Sequence, residues 1–219
     1  MDLNTLLARL MKEAGLTLYM VGVSTVFTVL LGLPLGVWLI TSARDGLSPR
    51  PVLNKILGFI VNVGRSLPFI ILLLLLIPFT RALVGTAIGS TAAIVPLTVA
   101  AVPFFARLAE NSLREVEPGL VDAARSMGAS KWQVISKVLI PEALPSLVLA
   151  VAITIISLIS YSAMAGVVGG GGLGDLAVRY GYQRYETGVM VATVIFLILL
   201  VQGIQALFGW LSDRLKYHQ

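Results

Sequence analysis

The stretch GLTLYMVGVSTVFTVLLGLPLGVWLI, Gly15 to Ile40, runs for 26 residues without an Asp, Glu, Lys or Arg. As a helix it would reach about 39 Å, more than the ~30 Å hydrocarbon core of a bilayer, so it spans with room to tilt. It is too long, and too weakly preceded by positive charge, for a cleaved secretory signal, and is expected to be the first helix of the mature chain. Four more apolar blocks follow, at about 56–79, 84–105, 143–168 and 188–211. The second holds Arg65 and Pro68, the third holds Pro96 and Pro103, and the last two carry no charge. Five membrane-spanning helices in an all-α integral membrane protein are the expectation.

Composition agrees. Of 219 residues, 57% are apolar and 12% charged, against roughly 25% charged in a water-soluble domain. Sixteen Lys and Arg face eleven Asp and Glu, a net charge of +5, and in so apolar a chain the excess reads as membrane orientation rather than nucleic-acid binding. With the N-terminus outside, the inner loops hold Arg44, Arg50, Lys55, Arg107, Arg114, Arg125, Lys131, Lys137, Arg214 and Lys216. The outer segments hold Arg9, Lys12, Arg81, Arg179 and Arg184. Ten against five predicts N-out and C-in. No repeat or linker divides the chain, so residues 1–219 read as a single membrane domain.

Several chemistries drop out. There is no cysteine, and the single histidine, His218, reads as a solvated tail group. Neither a metal site nor imidazole catalysis is expected, and no catalytic residue is assigned. No Gly-Lys pair exists, so the phosphate-cradling G-x-x-x-x-G-K-[ST] loop is missing.

The longest polar segment, about 107–142, carries the most information. Pro118 suits the first turn of a helix and Gly128 the left-handed residue just past its end, which brackets a helix of about ten residues. Leu120, Val121, Ala124 and Met127 fall on one face, with Asp122, Arg125 and Ser126 elsewhere. Ser130 and Gln133 read as a capping box for a second helix, and Pro141 and Pro145 mark its junction with the fourth span. A helix this short must be held by packing, against its own membrane domain, lipid headgroups, or a groove on a partner that Ala123 and Ala124 allow to approach closely.

Asp122-Ala123-Ala124, Gly128 four positions later, and Val138-x-Ile140-Pro141 resemble the cytoplasmic signature of ABC importer permeases, with Asp for Glu, Val for Ile and Ile for Leu. Arg65-Ser66-Leu67-Pro68-Phe69-Ile70, Ala93-Ile94-Val95-Pro96-Leu97-Thr98 and Tyr161-Ser162-Ala163-Met164-Ala165-Gly166 are similar to permease subunits of bacterial methionine importers, a likeness covering nearly the whole chain. The resemblance implies the type I ABC importer permease fold and a multi-pass place in the bacterial cytoplasmic membrane. It implies a homodimer, two cytoplasmic ATPase subunits holding ATP and Mg, and an extracytoplasmic methionine-binding lipoprotein. It also implies import of methionine, the L form and by expectation the D form, with no hydrolysis by this chain. The ATPase-coupling residues would be Leu120, Val121, Asp122, Ala123, Ala124, Arg125, Met127, Gly128 and Pro141.

Thr154, Ser157, Tyr161 and Met164 recur at i, i+3, i+7 and i+10, either lining a translocation path at a two-fold axis, with Met164 as a soft plug, or packing helices. Gly169, Gly170, Gly171, Gly172 and Gly174 superficially fit a dinucleotide fingerprint but follow a membrane span rather than a strand. They read as a flexible outer loop, either docking the binding protein or simply connecting spans. Gly32 and Gly36 have helix-packing spacing, with a kink at Pro34 between them. Arg65 reads as a snorkelling anchor or a functional charge. The rivals are a permease for another amino acid, an ion-coupled carrier, which usually needs ionisable residues inside its spans, and a membrane enzyme.

Overall fold

Leucine, valine and threonine follow one another from Leu16 onward with no polar face, and the result is a single long helix, α1, Leu3–Ser42, with Pro34 inside it. The computed structural model describes residues 3–216; His218 lies outside the described residues. α2, Pro51–Ser66, starts on a proline, which needs no amide partner at that position, and stops because Pro68 disfavours helical backbone at Leu67. α3, Phe69–Leu75, and α4, Ile77–Val84, follow, and α4 ends on the left-handed Gly85 at φ +82°. α5 is Ser90–Arg114, α6 Pro118–Ser126 and α7 Lys131–Val134. A wide π-turn, Ile135–Leu139, leads into α8, Ile140–Ala165. An irregular turn then reaches the short α9, Gly172–Leu176, and a last wide turn precedes α10, Thr187–Lys216.

Four of these stretches are long and apolar enough to cross a membrane, Asn4–Ser42, Ser90–Arg114, Lys131–Gly170 and Thr187–Lys216. Pro51–Ser66 with Phe69–Leu75 makes a fifth if that bent pair counts as one span.

Several boundaries differ from the sequence reading, beginning with α1, which starts at Leu3 rather than Gly15. The block 56–79 is broken at Leu67 and Pro68, not one helix. The block 84–105 loses its first turn to the loop closed by Gly85 and Gly89, both at positive φ, and its helix runs on to Arg114. Pro141 and Pro145 mark no junction, because helix is unbroken from Lys131 to Ala165. Proline at 141 would clash with the carbonyl of Lys137 in an α-turn. Widening the turn just before it, where Ile140 N pairs with Ile135 O, lets the helix continue.

The chain forms two compact units. One gathers residues up to Phe27 with Leu67–Ala101 and Thr154–Gln205. Met20, Leu97 and Leu158 are fully buried at its centre, beside Phe69 and Leu73. A second cluster there joins Leu10 and Ala14 to Leu173, Leu176 and Val189.

The other unit holds Thr28–Ser66, Val102–Ile153 and the chain from Ala206 on. Its core runs from Phe105 and Leu113 through Ala124 and Val134 to Leu139 and Leu147. Here α1 meets α5 at its glycines: a Cβ on Gly36 would lie 2.8 Å from Ala106 O, and one on Gly32 2.9 Å from Phe105 Cδ1. The packing reading of that pair is correct, since only glycine permits the approach. Arg65 lies exposed in the last turn of α2 with its guanidinium 5.9 Å from the Phe104 ring centre, a cation near a helix C-terminus resting on an aromatic ring.

Candidate functional site

The coupling segment is built from local rules. Pro118 opens α6 and Gly128 closes it at φ +83°. Gly128 N donates to Arg125 O at 2.9 Å and Ala129 N to Ala124 O at 3.1 Å, the paired bonds of a Schellman turn. Two residues on, Gln133 N donates to Ser130 Oγ at 3.3 Å while Ser130 N donates to Gln133 Oε1 at 2.7 Å, completing the expected capping box. Lys131 Nζ donates to Ser48 Oγ at 3.1 Å, tying the start of α7 to the loop after α1.

The faces of α6 differ from the sequence reading. Ala124 is buried and Val121 half-buried, against the core of Leu113, Val134 and Leu139. Leu120 is exposed, and Met127 is 82% exposed. With Ala123 they form an exposed apolar edge, and Trp132 on α7 is also 72% exposed. Asp122 and Arg125 line a groove of about 350 Å³ with Asp45, Leu47 and Arg114. Behind α6, Glu110 is 5% exposed and bridges two arginines, accepting from Arg107 Nη1 at 2.5 Å and Arg114 Nη2 at 3.0 Å. Arg107 also donates to Asn62 Oδ1 at 2.9 Å, so the end of α5 is fixed to α2. Pro141 is exposed near the start of α8.

On α8 the four expected pathway residues do not share an open face. Thr154 is fully buried, so it lines nothing outside its own chain. Ser157 and Tyr161 are half-buried, and Tyr161 stacks on Phe69 with ring centres 4.8 Å apart and planes 7° from parallel. Only Met164 is open, at 45%. The exposed line is Ser160, Met164 and Val167, and it borders a groove of about 620 Å³ with Leu197, Ile198, Val201 and Gln202 of α10. Ser160 and Gln202 are its uncharged polar groups.

The glycine segment is packed rather than flexible. Gly170, Gly172 and Gly174 are buried, and Gly169, Gly171 and Gly172 sit at φ +92°, +76° and +84°. A Cβ on Gly174 would sit 2.5 Å from Ala163 O. Two side chains of α1 secure the turn: Gly172 N donates to Glu13 Oε2 and Leu173 N to Thr17 Oγ1, both at 2.9 Å. Sequence reasoning missed Glu13 and Thr17, which lie more than 150 positions from their partners. The one available signal was a carboxylate and a hydroxyl spaced i, i+4 at the head of an apolar helix.

Residues 18–217 match the family model for binding-protein-dependent transport system inner membrane components. A Vibrio cholerae protein, named probable D-methionine transport system permease protein MetI, is 56% identical over 201 residues, 92% of this chain and 89% of its own length. The D-methionine transport system permease protein MetI of Escherichia coli K12 is 53% identical over 150 residues, 68% of this chain and 69% of its own. An inward-facing MetNI methionine ABC transporter overlays at TM-score 0.95 and 46% identity, covering 98% of this chain and 99% of that one. An amino acid ABC transporter overlays at TM-score 0.78 with 20% identity, a likeness of fold.

Proposed function

Because the chain belongs to the binding-protein-dependent transport system inner membrane components, multi-pass proteins of the inner membrane, we propose that it is the permease of an ATP-driven methionine importer, carrying the L and D forms. The near-complete overlay on a methionine ABC transporter carries this reading. In it, residues 1–219 are one transmembrane domain of five spans, N-out and C-in, and two copies form the conduit.

Hydrolysis belongs to a pair of cytoplasmic ATPases holding ATP and Mg, since this chain has no phosphate-binding lysine loop. Leu120, Ala123 and Met127, flanked by Asp122 and Arg125, would enter an ATPase groove, a helix-in-groove contact. Val121 and Ala124 turn inward, and the Schellman turn and capping box fix α6 to α7. A displacement of α6 therefore drags the end of α5 and the start of α8, past Gly128 and Pro141. Met164, at the rim of the α8–α10 groove, is the candidate gate: an unbranched apolar side chain closes a path without needing a hydrogen-bond partner. Thr154, Ser157 and Tyr161 then act by holding α8 in place. A binding protein docks outside, and the rigid turn Gly169–Gly174 shapes that surface.

Affinity purification of the tagged chain in mild detergent tests the reading. A stoichiometric ATPase that the methionine-binding protein stimulates is expected. Purification without any ATPase across several detergents would favour an ion-coupled carrier, and uptake competed equally by unrelated amino acids would favour a permease of other substrate.

A further inference from the structure

Three guanidinium groups converge on one ring. Arg184, Arg9 and Arg179 lie 4.5, 4.7 and 5.3 Å from the centre of Tyr180. Arg179 is ion-paired with Asp175. Neither Arg9 nor Arg184 has a carboxylate within ion-pairing distance among the described residues, Glu186 included. Glu13, one turn along α1 from Arg9, is committed to the amide of Gly172. Two like charges are thus held at one aromatic ring, which offers each only about 0.5–1 kcal/mol at an exposed site. A carboxylate brought to either guanidinium would gain charge-assisted, bidentate hydrogen bonds and offset the repulsion at the ring.

The turn around them is closely packed at its base and exposed at its tip. Gly181 is buried so tightly that a Cβ would lie 2.9 Å from Met190 Cβ, and Glu186 N donates to Tyr180 O at 3.2 Å. Tyr182 is 71% and Tyr185 87% exposed. Tyr185 is held at φ +58°, an uncommon backbone for a bulky residue that the surrounding turn must enforce. Tyrosine and arginine presented together on a fixed turn are the composition of a protein-binding hot spot. Interfacial anchoring to lipid would need neither the strained Tyr185 nor unpaired arginines on a single ring.

The geometry points to a docking surface for an acidic face of the extracytoplasmic binding protein, whose carboxylates pair with Arg9 and Arg184 while the exposed Tyr182 and Tyr185 of the same turn add aromatic contact. This rests on the importer reading, in which the first turns of α1 and the segment before α10 face outward. Charge complementarity of this kind steers association and fixes orientation.

The test uses the complete permease–ATPase complex in zwitterionic lipid nanodiscs, titrated with the binding protein while ATP hydrolysis is followed. In the Arg9→Gln/Arg184→Gln double variant, the half-stimulating concentration of binding protein should rise about five- to tenfold. Its dependence on salt should flatten, while the Arg9→Lys/Arg184→Lys variant recovers most of the effect. Copurification with the ATPase shows that both variants are assembled. A double variant that assembles and keeps the wild-type midpoint and salt dependence overturns the proposal. So does a defect that appears without binding protein and only when anionic lipid is supplied, which would make the cluster a headgroup site. A wild-type complex that no binding protein stimulates would instead remove the importer reading itself.

Discussion

Gly174 and Gly22 are the same residue type in an apolar chain, yet their surroundings oppose each other. A Cβ at 174 meets the backbone of Ala163, whereas at 22, on α1, it meets nothing within 4 Å. Gly174→Ala should therefore cost about 1–3 kcal/mol, as overpacking against backbone that cannot retreat does. Gly22→Ala should stabilise the helix by about 0.5–1 kcal/mol. Thermal unfolding of the detergent-solubilised protein compares the two, and equal midpoints would contradict the packing described. Gly128 differs again, with open space but φ +83°. Gly128→Val, strained by roughly 1–2 kcal/mol in the left-handed region, should lose uptake, while Gly128→Asn, which tolerates that backbone, should retain it. Gly128, Pro118 and the Ser130–Gln133 box were legible in the sequence because each answers to neighbours within a few positions. Gly174 and the Glu13 clamp were not, because their partners are fixed by tertiary packing.

At the scale of elements, the sequence located α6 but divided its faces wrongly. Periodicity grouped Leu120 and Met127 with Ala124, yet α6 turns Ala124 to the crowded side, against Leu113 and Leu139, and leaves Leu120 and Met127 exposed. The same limit applies to α8, where composition alone could not show that Thr154 faces inward and Ser160 outward. The consequence is testable. Met127→Glu should leave membrane abundance unchanged and reduce ATP-driven uptake at least tenfold, since a charge would enter an apolar groove. Ala124→Leu should instead lower abundance, because it overfills a buried contact by about 1–3 kcal/mol. Immunoblots of membranes alongside uptake assays separate the two, and the reverse pattern would show that the faces had been exchanged. The broken pair α2 and α3 was half legible: Pro68 was visible, but an unbroken apolar run masked its effect.

For the molecule as a whole, the absence of any cysteine makes sidedness directly measurable. Gln183→Cys, in the exposed turn before α10, should react with a membrane-impermeant maleimide in intact spheroplasts. Ser126→Cys, at the exposed end of α6, should react only after permeabilisation. The opposite pattern would invert the N-out, C-in topology that the distribution of basic residues predicts.

In the proposed mechanism this chain moves methionine by coupling to an external ATPase through α6. Its most direct test is uptake of radiolabelled methionine into proteoliposomes containing the permease and its ATPase, with binding protein outside and ATP inside. Accumulation is expected that needs both ATP and binding protein and that Met127→Glu lowers at least tenfold. Accumulation that proceeds without ATP and follows an imposed proton or sodium gradient would contradict it.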